Sequence, residues 1–302
     1  MTAVEIPTRF VWLHLTDLCQ LECVHCATDS SPSGTHGRMT TDDWIRVLDE
    51  TRDAGVRRVQ FVGGEPTLHP GLPELIDHAL TLAVDVEVFS NLVRVPPALW
   101  EVFAQPGVSL ATSYYSDDPA EHAAVTGRPS HARTRANIAK AVSLGIDVRA
   151  GVIDLGGTQR VEGARRDLVD LGVPSVGHDE VRELGRGARA GQRSAAQLCG
   201  RCGDGIAAVD PSGEVRPCLF ARWVSAGNVL HRPLPRILAD MPSARAALAA
   251  AGMVVRPPQE CTPVTTGTDC YPHSDRLTTV GGPCSPTTTG ANCYPHTEFF
   301  PT

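Results

Sequence analysis

The chain has 302 residues and a formal net charge of −7. That is long enough for one domain of α/β-barrel size plus a smaller appendage, and the acidic balance, with no basic stretch, argues against nucleic acid as a substrate. Hydrophobic residues make up 42% and charged residues 20%, the balance of a globular core rather than a disordered chain. No run of about 18 apolar residues suggests a membrane span. The start, Met1 to Pro7, has neither a basic region nor an apolar segment, so a cytoplasmic location is expected. In a reducing compartment the 10 cysteines point to metal or redox chemistry rather than disulfides.

From Phe10 to about Val176 strand-like and helix-like segments alternate, the pattern of parallel β/α units. Strands are expected at Phe10 to Leu15, Val56 to Val62, Val84 to Phe89, Val108 to Thr112, Val148 to Ile153 and Val173 to Val176. Helices are expected at Thr40 to Ala54, Leu72 to Leu82, Pro97 to Phe103, His131 to Leu144 and Arg160 to Leu171. The first of these opens on Thr-Thr-Asp-Asp, which caps the helix and places negative charge in its first turn. Gly185-Arg-Gly187 and Ala188 to Gly191 read as a linker. The segment Ile206 to Pro217 then reads as a β-hairpin with Asp210-Pro-Ser-Gly213 as its turn, and Leu234 to Ala251 as a helical stretch. The tail, Pro257 to Thr302, carries a repeat with a period of 23 residues, Cys261 to His273 and Cys284 to His296. Its Pro, Thr and Gly composition forms no helix and has little apolar surface to bury.

Two motifs carry the chemistry. Cys19, Cys23 and Cys26 stand in the spacing C-x3-C-x2-C directly after the first strand. Three thiolates on one loop can ligate three irons of a [4Fe–4S] cube and leave the fourth position open. Gly63-Gly64-Glu65-Pro66 follows the second strand; two glycines let backbone approach closely, and a glutamate can accept bonds from an ammonium group. Both motifs sit just past a strand, where parallel α/β folds place ligands. The alternative for the cysteines is a zinc site, which would want a second C-x2-C to complete a tetrahedron.

Together these motifs resemble those of the radical SAM superfamily, whose fourth iron is chelated by S-adenosylmethionine. The resemblance implies a partial (β/α)6 barrel over residues 1–190. It implies metal ligands Cys19, Cys23 and Cys26, and cofactor contacts from Gly63, Gly64, Glu65 and Pro66, from Ser90 and Asn91 at the end of the third strand, and from Ser113 after the fourth. Ser90-Asn91 are equally good turn formers. His25, between two of the cysteines, occupies a place that is often aromatic in the family. Arg128 is a weaker candidate, His14 reads as readily as a hydrogen-bonded core histidine, Tyr114 and Tyr115 read as packing or pocket wall, Asp17 and Asp118 offer no specific chemistry by spacing, and Gly151 to Gly156 matches the family's fifth-strand pattern only loosely.

Cys199-Gly-Arg-Cys202, with Gly213 and Cys218 beyond it, is similar to the auxiliary-cluster element of SPASM and twitch domains. This implies an auxiliary [4Fe–4S] cluster in residues 191–256, with a fourth ligand from the tail (257–302), Cys261 being the earliest candidate; a zinc knuckle would use the same thiolates. The tail's cysteine spacing departs from the full SPASM pattern. The function implied is reductive cleavage of S-adenosylmethionine and hydrogen abstraction from a substrate, in the leading reading a ribosomally made peptide. An electron donor such as flavodoxin or ferredoxin is implied, and a separate leader-peptide recognition protein is plausible. The alternatives are a radical SAM dehydrogenase or activase acting on a small molecule or protein residue, and a metal-binding module without radical chemistry.

Overall fold

The computed structural model describes residues 8–188 and 194–256. Six β/α units run in chain order: β1 (Phe10–His14), α1 (Thr41–Asp53), β2 (Arg58–Val62), α2 (Leu72–Thr81), β3 (Asp85–Phe89), α3 (Pro97–Phe103), β4 (Val108–Tyr114), α4 (Pro119–Thr126), α5 (His131–Ser143), β5 (Asp147–Asp154), α6 (Val161–Asp170) and β6 (Ser175–Glu180). They are followed by β7 (Ile206–Val209), β8 (Glu214–Arg216), β9 (Gly227–Asn228), α7 (Leu234–Leu238) and α8 (Met241–Ala250). All nine strands form one open sheet in the order β6-β5-β4-β3-β2-β1-β7-β8-β9. The first six are parallel, β7 adds in parallel to the free side of β1, and β8 and β9 are antiparallel additions. This is the expected partial barrel.

Alternation along the strands sorts the core into two faces. Val11, Leu13, Phe61, Val88, Leu110 and Val148 join Trp44, Leu75, Phe103, Ile138 and Leu168 of the helices in one apolar cluster. Phe10, Trp12 and Val62 point the other way and pack with Leu184, Leu198, Cys202, Cys218, Leu248 and Met253. The chain beyond β6 is divided between the two: Val209, Val215, Leu234 and Ile237 extend the first cluster, while Leu184, Leu198, Cys202 and Cys218 cover the barrel's inner face.

That face also carries a buried polar belt. Trp12 Nε1 donates to Gln60 Oε1 at 2.8 Å, the Gln60 amide donates to Glu87, and Arg149 holds the same carboxylate with Nε and Nη2 at 2.8 and 2.7 Å. Burial alone would push the Glu87 carboxyl up, but the guanidinium beside it holds it below its ordinary range. The belt fills the barrel floor and leaves the carboxyl ends of the strands for the site.

Several expectations need correction. The sixth strand is not Val173 to Val176 but Ser175–Glu180; its sequence, Ser-Val-Gly-His-Asp-Glu, has no apolar run because its residues are only partly covered. Helix α4 was not expected, although Asp118 is its N-cap, accepting from Ala120 N and Glu121 N at 2.9 and 2.8 Å, with Pro119 at the first helical position. Leu234 to Ala251 is two helices, broken at Ala239 and Asp240, with Pro242 in the first turn of the second, where its missing N–H leaves no helical bond unmade. Gly185-Arg-Gly187 is no linker but a 3-10 turn docked on the cysteine loop. The hairpin forms as expected: β7 and β8 flank Asp210 to Gly213, and Gly213 adopts φ +85, a conformation natural to glycine. The expected tail and Cys261 lie outside the described residues.

Candidate functional site: two cysteine sets at the strand ends

Residues 15–39 connect β1 to α1 and carry the triplet. Gly64 N donates to Thr16 O at 2.6 Å and Glu65 N to Leu18 O at 2.9 Å, so the chain after β2 forms a ladder with the cysteine loop. Both glycines serve this approach. A Cβ on Gly63 would lie 2.6 Å from Thr16 O, and one on Gly64 would strike Leu18 O and stand 2.9 Å from the Cys19 Cβ. The close neighbour they admit is the chain's own cysteine loop.

Glu65 is fully buried and faces its own chain. Its Oε1 accepts from Thr67 N, Thr67 Oγ1 and Ser90 Oγ at 3.0, 2.8 and 2.7 Å, and its Oε2 from Asn91 N at 2.8 Å. Burial pushes its carboxyl up against these four donors. Glu65 thus ties the end of β2 to the end of β3. Asn91 extends the tie, its amide reaching Cys19 Sγ at 3.7 Å and its Oδ1 accepting from Gln20 Nε2 at 2.9 Å.

The other side of the loop is held by residues that the sequence reading missed. Arg186 donates from its backbone to Cys26 O at 3.0 Å, from Nε to Cys23 O at 2.9 Å and from Nη2 to Ser30 O at 2.7 Å. Arg222 donates to Thr28 O and stands 3.7 Å from Asp17. The end of α4 pairs with the loop through Glu22 N to Thr126 O and Val24 N to Val125 O, both 3.0 Å. An arginine between two glycines was the only sequence signal for Arg186, and it reads equally as a linker.

Inside this frame lies a cavity of about 210 Å³. Cys19, Cys23 and Cys26 line it together with Gly63, Gly64, Asn91 and Ser113, as the motif reading expects. Glu65, Pro66 and Ser90 stand behind this lining: Glu65 and Ser90 in the network above, Pro66 at the start of a buried 3-10 turn. Its remaining wall includes His25, Tyr115, His122, Asp179, Arg182 and Phe220. The His25 and His122 rings meet Tyr115 edge-on at 5.1 and 5.4 Å, and burial lowers both imidazoles to about 4, so both are neutral at pH 7. His14 is a buried histidine bonded to Thr16 O at 3.0 Å, Tyr114 gives its hydroxyl to Asp167 at 2.7 Å, and Arg128 reaches out to Glu22 at 3.8 Å; none of these lines the cavity.

Three free thiols gathered on one loop beside an open cavity fit the ligand set of an iron cluster. Burial, Glu65 and the neighbouring cysteines push Cys19 up to about 12, and burial and Cys26 do the same to Cys23 despite the nearby Arg186. Such thiols stay protonated in water, and a bound metal is what draws their protons off. Among the described residues no three His, Cys, Asp or Glu side chains converge on the position of a single metal ion.

The second set is built by the hairpin. Gly203 N donates to Pro217 O at 2.7 Å, which brings Cys202 beside Cys218, and Arg245 on α8 donates to Cys202 O at 2.8 Å. The neighbouring thiols hold Cys199 below its ordinary range and, together with burial, push Cys202 above it. Phe220, whose N donates to Cys218 Sγ at 3.4 Å, packs with this set and also lines the cavity. One aromatic ring therefore spans the two regions.

Known proteins share this architecture. The radical SAM superfamily pattern matches residues 13–171. A PqqA peptide cyclase from Streptomyces rochei is 27% identical over 278 residues, covering 78% of this chain and 76% of that one. Another, from Bradyrhizobium diazoefficiens, is 39% identical over 83 residues, covering 28% of this chain and 21% of its own. Among solved structures, SuiB of Streptococcus suis bound to S-adenosylmethionine superposes with a TM-score of 0.67 at 15% identity, over 81% of this chain and 68% of that one. The anSMEcpe structure with bound AdoMet gives 0.63 at 11%, over 81% and 84%. With its superfamily pattern spanning more than half the chain and its cysteine loop folded on the Gly-Gly-Glu turn, this protein is a radical SAM enzyme and belongs to the radical SAM superfamily.

Proposed function

We propose that the chain modifies a peptide, as an oxidoreductase-type maturase. The observation that carries this reading is the likeness to a PqqA peptide cyclase along 78% of the chain, which continues beyond the superfamily core into the region of the second cysteine set. SuiB, of the same fold, has been solved with its precursor peptide SuiA. Cys19, Cys23 and Cys26 hold the [4Fe–4S] cluster, and the lining at Gly63, Gly64, Asn91 and Ser113 faces S-adenosylmethionine; Glu65, Pro66 and Ser90 support that lining from behind. When bound and reduced by one electron, S-adenosylmethionine supplies a hydrogen-abstracting 5′-deoxyadenosyl radical. The chain's own part is to orient that chemistry and exclude water, with the neutral His25 and His122 and the Tyr115 ring as walls.

Cys199, Cys202 and Cys218 carry an auxiliary [4Fe–4S] cluster in this proposal, with Cys261 as fourth ligand. The hairpin sets Cys202 beside Cys218 through Gly203 N to Pro217 O at 2.7 Å, and the absence among the described residues of three donors converging on a single metal ion supports a cube, whose irons take ligands at separate positions, over one zinc ion. Residues 1–190 form the core and 191–256 the auxiliary domain, followed by the tail 257–302. A low-potential donor such as flavodoxin or ferredoxin supplies the electron, and a separate protein presents the peptide leader. Among the described residues no helix is long and apolar enough to cross a membrane, and the setting proposed is cytoplasmic.

Anaerobic reconstitution tests both parts. Two cubes correspond to about eight irons per chain, with methionine and 5′-deoxyadenosine formed on reduction. Zinc in place of the second four irons removes the auxiliary cluster, and absence of 5′-deoxyadenosine from iron-replete protein overturns the reading as a whole.

A further inference from the structure

The tail repeat has no place in the function as derived so far. One fourth ligand requires one thiol, yet the tail carries Cys261, Cys270, Cys284 and Cys293, and its second copy, Cys284-Ser-Pro-Thr-Thr-Thr-Gly-Ala-Asn-Cys-Tyr-Pro-His296, repeats the first at the same positions. Neither copy has the apolar residues to build a core. Each does have what a modifying enzyme acts on, thiols set among threonine, tyrosine and proline carbons.

The fold delivers this segment to the right place. The last described residue, Arg256, donates from N to Gly200 O at 3.3 Å and accepts from Arg245 at 3.4 Å, so the tail leaves the protein beside Cys199 and Cys202. From Cys202 the apolar cluster runs through Phe220 to the cavity of the cysteine triplet. At roughly 3.3–3.6 Å per extended residue, the chain beyond Arg256 can reach at most roughly 17 Å by Cys261 and roughly 95 Å by Cys284. The second copy can therefore fold back to the cavity even with the first held at the second cysteine set. Tethering of this kind presents a segment at millimolar-order effective concentration.

Resting on the peptide-modifying reading above, we propose that the tail repeat is the enzyme's own substrate: Cys284 to His296 enters the cavity in cis and is closed into a thioether ring through the sulfur of Cys284 or Cys293. The thiol and one carbon of the repeat each lose a hydrogen as the C–S bond forms. S-adenosylmethionine is the two-electron oxidant and ends as methionine and 5′-deoxyadenosine, and one proton is released. The electron that starts the reaction is returned when the ring closes.

The test uses the full chain. Protein reconstituted anaerobically is incubated with S-adenosylmethionine, with and without dithionite, then fully reduced, alkylated and cut with trypsin. Cleavage after Arg276 separates the copies and yields Leu277 to Thr302. The expected result is a dithionite-dependent form of this peptide that is two hydrogens lighter for each ring and has one fewer alkylated cysteine. Full reduction removes disulfides, which would give the same mass. If the peptide keeps its unmodified mass and both alkylated thiols in a sample that cleaves S-adenosylmethionine, the tail is not the substrate while the peptide-modifying reading stands. If no S-adenosylmethionine is cleaved, both fall.

Discussion

The two cysteine sets are built in opposite ways. The first is scaffolded from outside: Cys19, Cys23 and Cys26 sit on a loop whose backbone is gripped by Gly64, Glu65, Arg186, Arg222 and the end of α4, while the sulfurs of Cys19 and Cys23 stay protonated up to about 12. The second is built locally, on one hairpin: Gly203 N to Pro217 O sets Cys202 beside Cys218, and Arg245 of α8 adds a bond to Cys202 O. A site gripped from several distant elements depends on the whole barrel being folded, whereas a site built on one hairpin depends on little beyond it.

The hardest blow to the contrast is removal of the first set. Replacing Cys19, Cys23 and Cys26 together by Ala should reduce 5′-deoxyadenosine formation to the level without enzyme and, with the auxiliary cluster proposed above, leave the visible absorbance of the second set in place, because Cys199, Cys202 and Cys218 flank the hairpin and lie far from the triplet in sequence. Loss of all iron would mean that the two sets form one unit. Gly64→Ala is subtler, since no ligand is touched. Its Cβ would meet Leu18 O and Cys19 Cβ, so the loop must shift; we expect iron retention at the first set to fall about 10–100-fold, the range for residues that orient metal ligands, with the second set unchanged.

Arg186→Ala removes two side-chain hydrogen bonds to the loop, each about 1.5–3 kcal/mol for a charged donor in a buried setting. A lower melting temperature and faster loss of iron from the first set, partly restored by Arg186→Lys, is the expected outcome. Equal loss from both sets would show that Arg186 acts through general stability. The smallest effect concerns pH. His122, on the helix that pairs with the first loop, is lowered to about 4 from 6.5, so between those values the folded chain binds fewer protons than the unfolded one. Stability contributed by the neutral ring is therefore present above 6.5 and lost as pH falls toward 4. His122→Phe should flatten the fall of melting temperature across that window; an unchanged slope would place the acid sensitivity elsewhere.

Much of this was legible in the sequence. Apolar runs gave five strands to within a few residues, and the Asp-Pro-Ser-Gly turn gave the hairpin, because strand alternation and turn residues are local signals. The cysteine triplet and the Gly-Gly-Glu turn were legible by spacing, but the partner of the glycines was not: that they clear a path for Leu18 and Cys19 depends on two loops meeting across the sheet. Glu65 likewise read as a ligand-facing acceptor, and only the fold shows its four donors. Arg186, Arg222 and Phe220 were invisible because they are far from the loop in sequence and reach it through tertiary packing. β6 was placed too early, at Val173 to Val176, because a partly covered strand such as Ser175–Glu180 need not be apolar.

The pairing of β7 alongside β1 has a consequence for biosynthesis. β1 leaves the ribosome before the other described strands, yet the edge it offers to β7 is unpaired until Ile206–Val209 has been made, and the Arg222 contact comes later still. At about 5–20 residues per second, the cysteine loop waits roughly 10–40 s half-docked, with three free thiols and one open strand edge. Iron delivered during that interval would meet an unfinished socket. The strand order therefore completes the socket only once translation has passed the hairpin.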